Sequence, residues 1–352
     1  MLPGISISVT LPRHWLKWQY TMLKKAEPHG HVKDIVHDKA GTEHRVLCVT
    51  PIISEVKTLD ELLGCKVTHT PLMLNAACAV IMHGVGRPMR KVMAASTALE
   101  LPILYTEFGP IHTIDYKKSN AVSMTVDHVG HVNASDRDTY LAGLIKAGID
   151  DAELARAQGI IRSWKQQRVS KYNHTLGPQV PDGRYVVVIA EPTPLGGDVK
   201  ASRAVTALLT SKAQQAFPTH KLVVLRPKQY AADVLAQADA AFVHSALVGF
   251  EALLWGVPLY VEGMPFYAGW GLTEDTLPAP AQSGELAHGL AQLVHAYMVG
   301  YSRYVNPFDS QRLDVEQAIE LAAKARPAAL EEAQRRHNLR QRLPRWLRWL
   351  QP

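Results

Sequence analysis

The chain has 352 residues, 47% hydrophobic and 20% charged, with a net charge of +6. That balance excludes wholesale disorder, and the length favours two domains over one. The mild basic excess suits anionic ligands or an anionic surface, and no recognisable nucleic-acid module accompanies it. Three cysteines, Cys48, Cys65 and Cys78, lack the spacing of a disulfide framework or a zinc site and point to a reducing compartment. The first twenty residues lack the pattern of a secretory signal, and no window has the length of a membrane span. The expectation is a cytoplasmic protein, soluble or peripheral on the inner membrane.

In chain order, HRVLCVTP (44–51) reads as a buried strand and KTLDELLG (57–64) as a short helix. AACAVIMHG (76–84) is a second strand, PMRKVMAASTALE (88–100) a helix, and LPILYTEFG (101–109) a third strand. Such alternation marks a doubly wound α/β unit. Ser135 or Asp136 is placed to cap a helix running through Ala147, and Asp150 or Asp151 the next. The breakers in HTLGPQVPDGR (174–184) set a boundary. The expected domains are 1–174, with a helical bridge, and 175–352. The second half restarts with strand RYVVVIAE (184–191), loop PTPLGGD (192–198) and a helix from Lys200 to Phe217. Strand KLVVLRP (221–227), short helix AADVLAQA (231–238), strand DAAFVHS (239–245), helix ALVGFEALLWG (246–256) and strand VPLYVEG (257–263) follow. Ligands of such sheets bind at the carboxyl ends of the strands.

The helix starting after His244-Ser245 offers free N–H groups to a phosphate, Ser245 adds a hydroxyl, and Gly249 allows close approach. Read as lying about two turns into that helix, Glu251 can accept from ribose hydroxyls; the plain alternative is a capping serine and a surface glutamate. In GMPFYAGWGLTED (263–275), Phe266, Tyr267 and Trp270 lie between glycines. Such a loop can wall a sugar or base; the alternative is a turn with exposed rings. His83, His112, His128 and His131 do not have metal-ligand spacing, so no metal site is expected. The tail RRHNLRQRLPRWLRWLQP (335–352) reads as a basic amphipathic segment able to lie on anionic lipid or to pack on the body through Trp346, Trp349 and Leu350.

GFEAL followed by PFYAGWGLT resembles the signature of the capsule polysaccharide biosynthesis family of KpsC/KpsS type. VSKYN (169–173), HGVGRP (83–88) and LPILYTEFG (101–109) are similar to further motifs of that family, so the likeness runs from Ala76 to Thr276. It implies two Rossmann-like domains facing across a cleft, the GT-B-like arrangement. The implied activity is retaining transfer of Kdo or a related ulosonic sugar from a CMP donor, with no cofactor beyond that donor. The partners would be a glycan or lipid-linked acceptor. By the same likeness Ser245 and Glu251 would hold phosphate and ribose, Tyr267 and Trp270 would line the donor pocket, and Lys171, Tyr172 and Asn173 would sit near the cleft. Arg87, Arg226 and His244 would neutralise the donor's anionic groups.

A double displacement needs a carboxylate at the anomeric carbon and a base for the acceptor. Glu107 and Asp198 are the candidates, both expected to project from strand ends. The family's Glu-Asp-Gly reads Glu-Phe-Gly here, with Phe108 replacing an aspartate. That departure keeps a second reading open, a non-catalytic member that binds nucleotide sugar or glycan within an assembly.

Overall fold

The computed structural model of the chain describes residues 45–48, 51–69, 77–84, 93–94, 96–97, 100–117, 119–133, 139–192, 198–281 and 283–342. Arg87, the capping candidates Ser135 and Asp136, most of the helix expected over 88–100 and the tail beyond residue 342 lie outside them.

The first half follows the expected alternation. Strand β1 (Arg45–Cys48) is followed by helices α1 (Pro51–Ser54) and α2 (Leu59–Leu63), then β2 (Val67–Thr68), β3 (Ala77–His83) and β4 (Ile103–Phe108). These four strands pair in parallel in the order β4-β3-β1-β2. Strand β5 (Ser123–Asp127) adds antiparallel to β4. Helices α3 (Tyr140–Lys146) and α4 (Asp151–Gln166) carry the chain onward. Thr139 caps α3, and Asp150 closes a capping box with Glu153 at the start of α4.

The second sheet is wholly parallel, in the order β10-β9-β8-β6-β7. It is built from β6 (Tyr185–Ile189), α5 (Val199–Ala216), β7 (Lys221–Leu225), α6 (Ala232–Leu235), β8 (Ala240–Val243), α7 (Gly249–Trp255), β9 (Leu259–Val261) and β10 (Glu274–Asp275). Every residue of β6 is buried, as a central parallel strand covered on both faces requires. Ala246, Leu247 and Val248 extend the apolar run of α7 in sequence, but the helix begins only at Gly249.

After α8 (Gly289–Val294) and a π-helical segment (His295–Tyr301), the chain returns to the first sheet. Strand β11 (Ser302–Val305) pairs antiparallel with β5, and β12 (Arg312–Leu313) pairs with β11. A cut at 174/175 therefore leaves the first sheet without two strands of its antiparallel edge. Helix α9 (Val315–Arg342) packs its first half on the body through Ala318, Ile319 and Ala322. Its last turns, with Arg335, Arg336, Arg340 and Arg342, are exposed.

One apolar cluster joins the two sheets. It runs from Ile111 and Val122 beside the first sheet, through Trp164 of α4 and Tyr297 of the π-helical segment, to Val187, Leu225 and Val243 of the second. The junction between the sheets is thus packed, and the site below lies along it. Among the described residues no helix is long and apolar enough to cross a membrane.

Candidate functional site

Strand β4 alternates, so Glu107 and Phe108 point to opposite faces. Glu107 stands at the strand's carboxyl end with its side chain 22% exposed, and its Oε1 lies 3.1 Å from His131 Nε2. Burial alone would push its carboxyl up. The His131 hydrogen bond, with His83 and Lys171 nearby, outweighs that and holds it down at about 2. Glu107 is therefore an ionised, half-enclosed carboxylate at neutral pH. Phe108 packs on the other face, stacked on His112 (ring centroids 3.8 Å apart) and edge-on to His83 (4.6 Å). The substitution in Glu-Phe-Gly thus fills an aromatic niche and leaves the Glu107 side clear.

The SKYN segment binds both units. Lys171 donates its ammonium to the carbonyls of Phe108 and Gly109, fixing the end of β4. Its backbone N–H donates to Glu251 Oε1 at 2.9 Å, reaching helix α7 of the second unit. Burial lowers the amine to about 8, against the pull of Glu107 and Glu251. Tyr172 lies edge-on to His112 (5.6 Å), and burial, then the charges of Glu107 and Glu251, pushes its phenol up. Asn173 is a structural residue: its side chain closes a turn on the backbone of Ser170.

The structure corrects the reading of Glu251. It lies in the first turn of α7, not two turns in, and is 3% exposed. Among the described residues its Oε2 has no hydrogen-bond partner. Burial raises its carboxyl to about 7, opposed by the Lys171 and Ser170 hydrogen bonds and the Lys171 charge. A glutamate so enclosed is a junction group facing the SKYN segment; its place as a ribose acceptor is not supported by this burial. A stability consequence follows. Its folded value lies above the ordinary carboxylate value, so its contribution is intact at low pH and is lost as pH rises from about 4.5 through about 7. Glu251→Gln should match the native chain near pH 4.5 and exceed it at pH 8, by on the order of 3 kcal/mol. Urea unfolding at the two pH values checks this, and a variant no more stable at pH 8 refutes it.

On the second sheet, Ser245 follows β8, but its donors are already engaged. Its hydroxyl donates to Glu191 Oε1 at 2.5 Å and its N–H to Glu191 Oε2 at 3.1 Å. Ser245 is therefore not the N-cap of α7, whose first residue lies further on; it is held by a carboxylate from the end of β6. Glu191 is the site residue that sequence reading missed. Its signal was present: RYVVVIAE ends a buried strand on a glutamate, as ILYTEF nearly does. His244 Nδ1 lies 3.9 Å from Glu191 Oε2, placing His244 at the same edge.

Tyr267 and Trp270 also depart from expectation. Both are buried, at 0% and 6% exposure, so they are not exposed turn residues. Tyr267 donates its hydroxyl to the Ala246 carbonyl at 2.7 Å, and Trp270 its indole N–H to the Phe266 carbonyl at 2.8 Å. The aromatic loop is core, because its rings have hydrogen-bond partners for their polar ends within the fold. Gly249 serves that packing rather than a ligand: a Cβ there would lie 2.1 Å from the Tyr267 hydroxyl oxygen. Asp198 is the exposed N-cap of α5, accepting from Lys200 N–H at 2.7 Å, so its carboxylate is committed to a helix start. Arg226 follows β7 and is exposed.

The two halves meet through Asn133. Its side-chain amide donates to the Ser245 carbonyl at 3.3 Å, across the junction. Its backbone N–H donates to His131 Nδ1 at 3.3 Å, and His131 in turn touches Glu107. The arrangement brings together Glu107, His131, Asn133, Ser245, Glu191 and His244, with Lys171 and Glu251 behind them. Among the described residues no hydrogen bond joins Asp198 or Trp270 to this group, while Tyr267 lies behind it, its phenol pushed up by burial and then by the charge of Glu191. Among the described residues no cluster of three or more His, Cys, Asp or Glu can hold a metal ion.

Residues 179–304 match the family model described as capsule polysaccharide biosynthesis protein. An 87-residue stretch is 42% identical to the capsule polysaccharide modification protein LipA of Neisseria meningitidis serogroup A, covering 25% of this chain and 12% of that protein. The lipopolysaccharide-processing protein LpsZ of Rhizobium meliloti is 35% identical over 86 residues, 24% of this chain and 19% of that one. The chain thus spans well under two thirds of the length of the curated relatives it matches. Two solved structures of Thermosulfurimonas dismutans KpsC, a β-Kdo 2,4 transferase and a β-Kdo 2,7 transferase, superpose with TM-scores of 0.67 and 0.61. They are 23% and 21% identical, and each match covers 80% of this chain and 99% of the other. A mixed α/β fold is therefore shared with the KpsC transferases, and the second half of the site lies within residues 179–304, the stretch that matches the model described as capsule polysaccharide biosynthesis protein.

Proposed function

We propose that this protein is a glycosyltransferase of bacterial surface-polysaccharide assembly, capsule or lipopolysaccharide, which moves Kdo or a related ulosonic sugar from a CMP donor with retention. One observation carries the reading: an ionised carboxylate, Glu107, stands at the carboxyl end of a strand in one sheet, tied through His131 and Asn133 to the loop at the carboxyl end of β8 in the other. That is where ligands of open α/β sheets bind. The likeness of the fold to β-Kdo transferases supports the sugar, and a GT-B-like opposition of two nucleotide-type units is the arrangement we infer. Glu107 attacks the anomeric carbon as the bond to the CMP phosphate breaks, giving a glycosyl ester on Glu107. The acceptor hydroxyl then displaces Glu107, losing its proton to a base, and the two inversions give retention. Glu191, the second carboxylate of the junction, replaces Asp198 as the candidate base. Arg226 and His244 are candidates to meet the donor's phosphate and carboxylate, and Arg87 shares that assignment from sequence. The acceptor we infer is a glycan or lipid-linked glycan, with the basic end of α9 and the tail after it able to rest on an anionic membrane surface on the cytoplasmic side.

The test is incubation of the purified chain with CMP-Kdo, with and without a Kdo-terminated acceptor. Acceptor-dependent CMP release and a β-linked product are expected. CMP-Kdo binding without turnover would favour the alternative suggested by Phe108, a non-catalytic assembly subunit. Failure to bind CMP or CMP-Kdo overturns both.

A further inference from the structure

Three contacts around His131 define more than proximity. The ring's Nδ1 accepts the backbone N–H of Asn133. A nitrogen that accepts carries no proton, so the ring is the neutral tautomer with its hydrogen on Nε2. That hydrogen points at Glu107 Oε1, 3.1 Å away. The pair is therefore a charge-assisted hydrogen bond from a neutral imidazole to a carboxylate, with a fixed direction. The ring side chain is only 11% exposed, which limits alternative rotamers. Asn133, which sets the tautomer, also donates its side-chain amide to the Ser245 carbonyl. The orientation of Glu107 is thereby referenced to the second unit's loop.

Resting on the transferase reading above, we propose that His131 is the positioning residue of Glu107: locked as the Nε2–H tautomer by Asn133, it aims one carboxylate oxygen and leaves the other to react. His131 itself touches no reacting atom. The bond holds Oε1 and leaves Oε2 without a hydrogen bond to His131. Positioning of this kind changes rate more than affinity, because a misplacement of about 1 Å costs roughly 10²-fold in a near-attack geometry.

Other groups also face Glu107, and a test must separate them from His131. His83 projects from the end of β3 and Lys171 from the SKYN segment, and both lower its carboxyl value. The phenols of Tyr172 and Tyr297 are pushed up by burial and then by the charges of Glu107 and Glu251, and that of Tyr301 by burial and then by Asp127, to which it donates. None of these donates a hydrogen bond to the Glu107 carboxylate; among the described residues His131 does.

The experiment uses the full chain with His131→Ala and His131→Gln, since glutamine keeps an N–H at nearly the same reach. The first readout is NMR: the His131 ring nitrogens should report the Nε2–H tautomer, and the Glu107 carboxylate carbon should titrate at higher pH in His131→Ala than in the native chain, with His131→Gln between them. The second is kinetic: kcat with CMP-Kdo should fall by about 10²-fold in His131→Ala with KM changed by less than about threefold, and His131→Gln should recover most of it. An imidazolium or Nδ1–H ring, an unmoved Glu107 titration, or a glutamine variant no better than alanine overturns the proposal. The NMR arm needs no turnover, so an inactive native chain defeats the transferase reading while leaving the His131–Glu107 geometry decided on its own.

Discussion

Glu107→Gln is expected to lower turnover of CMP-Kdo by roughly 10³-fold or more while leaving CMP affinity within about threefold. The amide has the shape of the carboxylate and can still accept from His131, so the loss is of the nucleophile alone. The native carboxyl is held down at about 2, so Glu107 supplies no acid limb to the rate between about pH 4 and 8. The same depression makes Glu107 stabilising above its ordinary value near 4.5, with that contribution lost as pH falls from there through about 2. Asp198→Asn is the natural control. That residue is an exposed helix cap, so its loss should change turnover less than about twofold and cost at most about 1 kcal/mol of stability. Slow-substrate trapping followed by mass spectrometry should find the sugar on the peptide containing Glu107. Full activity in Glu107→Gln, or a label on another carboxylate, sinks the assignment.

The second large effect is on folding. Gly249→Ala would place a methyl 2.1 Å from the Tyr267 hydroxyl oxygen and 2.7 Å from the ring carbon that bears it. Tyr267 cannot step aside, because it is fully buried and bonded to the Ala246 carbonyl. Overpacking of this kind costs about 2–3 kcal/mol. Tyr267→Phe should cost about 1 kcal/mol by removing one of the two hydrogen bonds that carbonyl accepts, the other coming from Gly249 N–H. The double variant should be more stable than the sum of the two costs, since removing the hydroxyl relieves the shorter of the two contacts. Urea midpoints of the four proteins form the cycle. A Gly249→Ala variant within about 0.5 kcal/mol of native refutes the packing argument. GFEAL and PFYAGWGLT thus occur together because the glycine of one makes room for the tyrosine of the other.

The parallel strands were legible because buried strands are continuous apolar runs closed by breakers, as in RYVVVIAE and KLVVLRP. Strand β5 was not, because Ser123 and Thr125 interrupt it. Both hydroxyls are buried and satisfied by backbone carbonyls of Ile111 and Glu107, a compensation invisible to hydropathy. Strand β11 hid for the same reason: Arg303 is buried with its guanidinium on the carbonyls of Leu62 and Leu63. At the site, Glu107 and the SKYN junction were readable as a strand end and a motif. The pairing of Ser245 with Glu191 was not, because it depends on β6 and β8 being neighbours across 54 residues of chain. The aromatic loop was misplaced because a glycine-flanked tyrosine looks alike whether its hydroxyl finds water or a buried carbonyl.

The return of β11 to β5 also sets an order of assembly. During synthesis every strand of the second sheet, through Asp275, is made before Ser302. That sheet can close while the first still exposes the outer edge of β5. Contacts such as Arg303 to Leu62 span 241 residues, and contacts of such separation form late because loop closure must precede them. A released chain truncated near residue 290 should therefore carry a folded second sheet and a first sheet open along one edge, the form most exposed to aggregation and to chaperones.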